Sequence, residues 1–576
     1  MPLSGAIGNG ENMFIMAYAY RHGRINAGSS LVSPAVRIFI VIVLCLFVSG
    51  KYLNALGDEI PSPGIYSAPS EIDTAGTRDD IAPVFDTIVS LPRQYSNIYS
   101  ILNQISGQTG YFFAYDTDIV NSDRRVRIRA GTRTVASWLE EVLDDPGLSY
   151  RVIENHILIY RQELVKEQTA GHTDAESTES GVIIVRGRVL DEDSREPLPY
   201  ATVGIKGESI GIISNSDGFF SLRVPAGNDD KHIAVSHIGY KTQALPVSIF
   251  SYDRVDILME TEYISIPEVM IRYFDPLGTL VSAISRIDDN YSSDPVYMLN
   301  FYREGVMRGN RFINYSEAFF QVYKSSHVRK FEPDQVRLFQ SRTISNTDRT
   351  DTLILKIRAG IRSSLELDFI KNVPDFLNPE FLHEYEYTRA DIVSYDGNMA
   401  YAVAFEQKDH ITDPLFKGVL YIDMESLAFL GADFEVNPKH ISKAHYRFIT
   451  RKNRDYRATI DKAAYTVSYR YYNGHYYLNH VRADLHLRYR RRFSIFSSNY
   501  HVFVEMANSR IDTENVERFS RRDVLRTDRV FMDGGHAYDR DFWEGYTIVP
   551  PERHITEALT RIESQIERVV AGQNDK

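Results

Sequence analysis

Cysteine is nearly absent from this chain. Of 576 residues one is Cys, at position 45, and two are Trp. Cys45 sits inside "RIFIVIVLCLFVSG", the most apolar run of the sequence. Once such a run is removed as a leader, no thiol is left, which excludes both disulfides and thiol catalysis. Positive charge is also in short supply: 65 Lys and Arg against 77 Asp and Glu leave a net −12. A nucleic-acid footprint needs a basic surface, so that class is set aside. Long hydrophobic runs are missing too. The longest, Ile38 to Val48, has eleven residues, where a membrane-spanning helix needs about 20.

Eleven apolar residues do fit the core of a signal peptide. Arg21, Arg24 and Arg37 supply the basic side, and Val48-Ser49-Gly50 offers small residues for cleavage. The leader, residues 1–50, is long, which makes Met13 or Met16 an alternative start. Leu44 before the cysteine, and the apolar run after it, argue against a lipid anchor at Cys45. An uncleaved N-terminal anchor is the alternative. The expected location is therefore outside the cytoplasm.

Aromatic residues are abundant, 37 Tyr and 30 Phe, and with little Trp that bias favours strands. The expected fold is multidomain and mainly β. Residues 51–84 read as a Pro/Ser/Gly/Asp linker. Residues 85–160 alternate short strands with two helices. Ser96 and Thr134 are placed to cap those helices and Gly110 to stop the first. Ile98, Ile101, Leu102 and Ile105 share one helix face; Val135, Trp138, Leu139, Val142 and Leu143 share the other. Residues 161–181 are a polar linker. Residues 182–261 hold about seven short strands between turns, the pattern of a small β-sandwich. Residues 262–576 begin with a helix at Asp275-Pro276, its face made by Leu277, Leu280, Val281 and Ile284. They continue as a long antiparallel meander with hairpin turns at Gly309-Asn310, Asp396-Gly397 and Asn473-Gly474. A last amphipathic helix, "PERHITEALTRIESQIERVV", closes the chain.

Several segments resemble known families. "LPRQYSNIYSILNQISGQTGYFFAYD" with "VRIRAGTRTVASWLEEVLDDPGLSYRVIENHILIY" resembles the secretin and TonB short N-terminal (STN) domain. That resemblance implies a periplasmic module, found on outer-membrane transporters and secretins, that contacts other envelope proteins and has no catalytic role. "GRVLDEDSREPLPYATVGIKG", "SNSDGFFSL" and "SHIGY" resemble the carboxypeptidase-regulatory-like domain. This is a non-catalytic module that in Bacteroidota commonly precedes the plug of outer-membrane nutrient receptors. "GVLYIDMESLAFLGADFEV" and the long hairpins resemble the curved open sheet of periplasmic lipoprotein carriers. "FYRE", "SEAFFQVYK" and "DFWEGYTIVPPERHI" resemble an uncharacterised Bacteroidota envelope family. About 310 residues are too few for the large barrel of a TonB-dependent receptor. The terminal helix and the charges of "VRADLHLRYRRRF" argue against a smaller one.

Candidate chemistry is thin. "KGESIG" fits the G-x-S-x-G nucleophile elbow at Ser209, but that motif needs a helix after the serine, and strand and turn residues follow here. "SNSDG" lacks a ligand at Ile213 and the bidentate acid at Val224 that a calcium loop requires. "HITE", His554 to Glu557, has no third zinc ligand after it, and His383 lacks a second histidine. His480 and His486 share a strand face and His475 points away, all read as solvated. Asp391 and Glu406 are acids on strands that nothing singles out. Arg488, Arg490, Arg491 and Arg492 read as a patch for an anionic partner or as a charged strand end. No residue is assigned a catalytic, cofactor or metal role. The expectation is a non-enzymatic envelope protein, in the periplasm or on the inner side of the outer membrane. It binds other envelope proteins, with a lipid or peptide ligand for the large unit. The alternatives are an enzyme with a site in 262–576, or an accessory or signalling component of TonB-dependent transport.

Overall fold

The computed structural model describes residues 83–116, 119–161, 182–251, 254–262, 274–309, 311–345, 360–444, 448, 456–491, 496–527, 531, 546–553 and 555–557. The expected leader, most of both linkers, His554 and the terminal helix beyond Glu557 lie outside them. Among the described residues no helix is long and apolar enough to cross a membrane. The fold is mainly β, in several sheets.

The front unit runs β1 (Ile88–Leu91), β2 (Gln94–Asn97), α1 (Ile98–Thr109), β3 (Phe112–Tyr115), β4 (Arg125–Ile128), β5 (Gly131–Thr134), α2 (Val135–Leu143), β6 (Leu148–Ile153) and β7 (His156–Arg161). β1–β2 and β4–β5 pair in one register, from Ile88↔Thr134 to Asn97↔Arg125, with a break at Pro92-Arg93. They form a two-stranded ribbon. Its inward residues meet the expected helix faces, all buried, with Trp138 at the centre. Gly110 ends α1 at φ 75°, and Thr134 Oγ1 accepts from Ser137 N at 3.3 Å. The cap of α1 is Asn97, one residue after the expected Ser96. Ser96 lies inside the ladder opposite Val126, whereas Asn97, opposite Arg125, is its last residue and accepts from Ser100 N at 3.0 Å.

The sandwich has seven strands: β8 (Val182–Asp191), β9 (Thr202–Ile205), β10 (Gly211–Ile213), β11 (Phe219–Pro225), β12 (His232–Ser236), β13 (Gln243–Pro246) and β14 (Val255–Met259). They form two sheets, ordered β10-β9-β12-β13 and β11-β8-β14. Alternate residues such as Val185, Leu222, Val224, Ile233 and Ile257 fill the space between them.

The large unit starts with α3 (Pro276–Ser285) and α4 (Ile287–Asn290). Leu280 and Ala283 of α3 are buried, while Leu277 and Val281 are exposed, so the inward stripe is narrower than the sequence pattern predicted. Ten strands follow: β15 (Val296–Arg308), β16 (Arg311–Lys324), β17 (Gln335–Ser345), β18 (Tyr385–Tyr395), β19 (Asn398–Gln407), β20 (Phe416–Asp423), β21 (Phe429–Val436), β22 (Tyr456–Tyr472), β23 (His475–Arg491) and β24 (Ser497–Asp512). They make one antiparallel sheet ordered β17-β16-β15-β24-β23-β22-β21-β20-β19-β18. Among the described residues β17 and β18 are its two edges, and the sheet they bound is open. Both Asp396-Gly397 (φ 50° and 78°) and Asn473-Gly474 (φ 46° and 90°) take two left-handed residues in succession, the type I′ geometry that matches strand twist. One face of the sheet is packed by α5 (Ile361–Glu366) and the loop after it, through Phe369 and Phe376 against Phe405, Phe429 and Tyr469.

The other face receives the sandwich. Phe301, Phe319 and Ala507 of the sheet join the sandwich core. Residues 546–553 run between the two layers. Ile548 bridges Ser221, and the Pro550 carbonyl accepts from both Asn215 Nδ2 (3.0 Å) and Arg303 Nη1 (3.2 Å). The front unit adds Ala114 and Leu158 to the same core and an Arg254–Asp116 bridge of 2.7 Å.

Candidate functional site

"KGESIG" is the connection from β9 to β10, with strands on both sides and no helix after it. Ser209 uses its carbonyl, which accepts from Arg470 Nη2 of β22 at 3.0 Å. A Cβ at Gly211 would overlap the Arg470 guanidinium. The second glycine therefore exists to let an arginine of the large sheet reach the sandwich. Burial lowers that guanidinium to about 10, so it stays charged at neutral pH. "SNSDG" is a turn: Asn215 Oδ1 accepts from Asp217 N and Phe219 N, and Val224 is a core residue of β11.

The sheet face under the sandwich carries a row of charges that sequence reasoning missed. Arg342, Glu317, Arg303, Glu505, Arg482, Thr466 and Asp433 stand opposite one another on seven neighbouring strands. Arg303 and Glu505 are fully buried and directly paired. Arg482 Nη1 lies 3.4 Å from Glu505, and His480 Nε2 3.0 Å from it. Glu552, from the strap between the layers, bridges Arg303 (2.9 Å) and Arg482 (3.3 Å). Tyr200 of the sandwich stacks on His480. Burial opposes the charge on Glu505, but Arg303, Arg482 and His480 outweigh it and hold the carboxyl well below its usual range. The arrangement can join two layers; a base already held by three cationic or donor groups has no capacity to take a substrate proton. Two expectations are corrected here. His480 is buried and bonded rather than solvated, and of the charges of "VRADL" Arg482 is buried and donates to the partly exposed Asp484. The available signal was an isolated charge or charged pair inside otherwise apolar strand runs, in "NFYREGV", "YSEAFF" and "VFVEMAN".

A second buried cluster lies at one end of the sheet. Lys324 Nζ is 2.8 Å from both Asp334 and Asp368, and Lys371 Nζ is 2.6 Å from Asp334. Lys371 also donates to Ser325 Oγ and the Glu332 carbonyl, and Tyr469 donates to Asp368. Burial lowers the Lys371 pKa, helped by the charge of Lys324 and opposed by Asp334. For Lys324 the two aspartates outweigh burial and raise it. Beside this cluster is a cleft of about 50 Å³ lined by Tyr291, Ser325, His327, Asp368 and Tyr476. That volume suits a water or two, whereas organic ligands fill about 300 Å³ or more.

The other candidates are dispersed. Arg488 is exposed at the far end of β23 and paired with Asp461 at 2.8 Å, and Arg490 is exposed near it. The side chain of Arg491 and all of Arg492 lie outside the described residues. His486 is exposed and stacked on His501 at 4.3 Å. Asp391 and Glu406 stand on β18 and β19 but face different partners, Ala402 and Glu386. Among the described residues no group of three or more His, Cys, Asp or Glu could hold a metal ion.

The front unit carries a one-sided surface. Its ribbon, residues 88–97 and 124–134, holds six arginines and no acid, in a chain of net charge −12. Arg124 closes the end of α2 by donating to the Val142 and Leu143 carbonyls. Arg93, Arg125, Arg127, Arg129 and Arg133 are exposed, with Arg127 over the Tyr95 ring and Arg133 paired with Glu141. Ile88 and Tyr95 are 69% and 61% exposed.

Comparison with known proteins assigns one piece. Residues 185–271 match the family model of the CarboxypepD_reg-like domain. That match spans most of the sandwich, which is similar to the carboxypeptidase-regulatory-like domain. No curated protein matches the chain. Among solved structures, a DUF1329 family protein from Desulfovibrio piger is 13% identical over 44% of this chain and 100% of its own, with a TM-score of 0.21. A putative outer membrane lipoprotein-sorting protein domain from Vibrio parahaemolyticus is 10% identical over 43% and 97%, TM-score 0.20. A LolA superfamily protein from Nitrosomonas europaea is 9% identical over 43% and 97%, TM-score 0.19. Scores this low carry no functional weight.

Proposed function

We propose that this chain is a non-catalytic binding protein of a Gram-negative cell envelope, docking onto other envelope proteins through its front unit. The observation that carries the reading is the arginine-lined ribbon with exposed Ile88 and Tyr95. Aromatic and arginine side chains together are the composition of protein contact surfaces. An isolated basic face on an acidic molecule selects an acidic partner and orients it. The resemblance of residues 85–160 to the STN domain, and the regulatory-like sandwich behind it, agree with a periplasmic setting. The buried row and strap then serve to hold the ribbon on a rigid body.

The test is capture from envelope extracts by the full-length chain. Reversing Arg125, Arg127 and Arg129 to Glu abolishes recovery of the partner that wild type retains. Equal recovery by both proteins defeats the reading. Should the partner be a TonB-dependent receptor, the same surface makes this an accessory or signalling component of that transport.

An enzyme within residues 262–576 has one observation in its favour, the Ser325–Lys371 contact beside the cleft. Asp334 keeps that lysine paired, and its three protons are already directed at Ser325, Glu332 and Asp334. A lysine so engaged is a poor base for a serine. Hydrolysis of ester probes that Ser325→Ala abolishes would favour this second reading.

A further inference from the structure

The lysine–aspartate cluster holds the two ends of one loop, residues 325–334. Ser325 N donates to Asp334 Oδ1 (2.9 Å) and Ser325 Oγ to the Glu332 carbonyl (2.7 Å), while Lys324 and Lys371 grip Asp334. Between these ends the chain makes two turns, Arg329 N to Ser326 O and Glu332 N to Arg329 O. His327 is tied sideways to Asp288 at 2.9 Å. So much fixation serves an exposed tip: Val328, Arg329, Lys330 and Phe331 all face solvent, Phe331 completely.

Beside the loop runs the segment after β24. Arg518 reaches Glu332 at 3.5 Å, Phe519 N donates to Gln335 Oε1, and Leu525 N to the Val336 carbonyl. Between those anchors Arg521 and Arg522 are exposed. One end of the sheet thus presents an apolar tip, Val328 and Phe331, collared by Arg329, Lys330, Arg518, Arg521 and Arg522. Of the acids nearby, Glu332 pairs with Arg329 and Arg518, Asp523 accepts from Ser520 and Asp288 faces His327, while Glu517 is exposed beside Arg518, so the five cations of the collar remain in excess.

We infer that this end of the large sheet docks onto an anionic lipid surface, with Val328 and Phe331 entering the interface and the basic collar meeting headgroup phosphates. A rigid apolar tip ringed by cations is the arrangement that peripheral proteins need at a charged bilayer. Among the described residues nothing covers Phe331, which is fully exposed, so the tip suits a medium that closes around it. In a chain of net charge −12, a local excess of cations also sets which side faces the membrane. This inference uses a different surface from the ribbon and stands or falls separately.

The test is co-sedimentation of the full-length chain with vesicles, in low salt, of pure phosphatidylcholine or with about a third phosphatidylglycerol. Wild type binds the anionic vesicles and leaves the neutral ones. Val328→Asp with Phe331→Asp removes the binding, and each charge reversal in the collar weakens it by about fivefold or more. The substituted residues are exposed, and circular dichroism checks that the variants fold. As a second readout, Phe331→Trp shifts its emission to the blue only with anionic vesicles. Absence of wild-type binding, binding untouched by the double Asp variant, or binding to polyglutamate in place of vesicles would each overturn the inference, the last in favour of a protein partner.

Discussion

The two buried ion clusters of the large unit use different cations and do different work. The row across the sheet is built on arginines, Arg303, Arg342 and Arg482, and lies flat between sheet and sandwich. The cluster at the sheet end is built on lysines, Lys324 and Lys371, and closes a loop. A guanidinium is planar and donates along several directions at once, so Arg303 can serve Glu505, Glu552 and the Pro550 carbonyl in one plane. A lysine ammonium donates along three directions from a single point, which suits gathering strand, turn and loop around Asp334. The first network is therefore a seam between layers and the second a clamp on one segment.

Breaking the seam has the largest expected effect. Glu505→Gln leaves Arg303 and Arg482 under-compensated in a sealed site, a loss of about 3–5 kcal/mol, visible as a lowered denaturation midpoint. The same carboxylate gives the seam a pH dependence. Its folded pKa lies below the unfolded value of about 4.3. Its contribution is thus complete above that value and is lost as pH falls through the folded pKa. Stability that rises on acidification from pH 5 to 3 would contradict this sign, and Glu505→Gln flattens the acid limb.

Breaking the clamp has a smaller and local effect. Asp334→Asn costs about 3 kcal/mol, but the loss appears first as trypsin cleavage at Arg329 or Lys330 while the sheet remains folded. Gly211→Ala sharpens the comparison from the sandwich side. Its methyl displaces Arg470 and costs about 1–3 kcal/mol of overpacking, measured by thermal denaturation. The smallest effect belongs to the tip that the clamp displays. Val328→Asp with Phe331→Asp changes stability by only about 0.5 kcal/mol; a large loss would show that the tip is part of the core.

What could be read in the sequence was local. Thr134, Gly110 and the turns at Asp396-Gly397 and Asn473-Gly474 each depend on a few adjacent residues, and each stands where expected. The sandwich was legible because its turns fall at short intervals. Asn97 displaced Ser96 as a cap because the cross-strand ladder runs one residue past Ser96 before the helix begins. The charge row was illegible because Arg303 and Glu505 meet only through a strand register across about two hundred residues. His480 misled for the same reason: its strand face was legible, but the layer that covers that face comes from Tyr200 of another unit.

The central claim is that the front ribbon is where a partner binds. Photo-crosslinking from position 95, in cells that express the full-length chain, tests it most directly, with exposed Met399 on β19 as the control position. The expected result is one envelope protein crosslinked from position 95 and none from 399, with the adduct lost when Arg125, Arg127 and Arg129 are reversed. No adduct from position 95, or the same adducts from both positions, would contradict it.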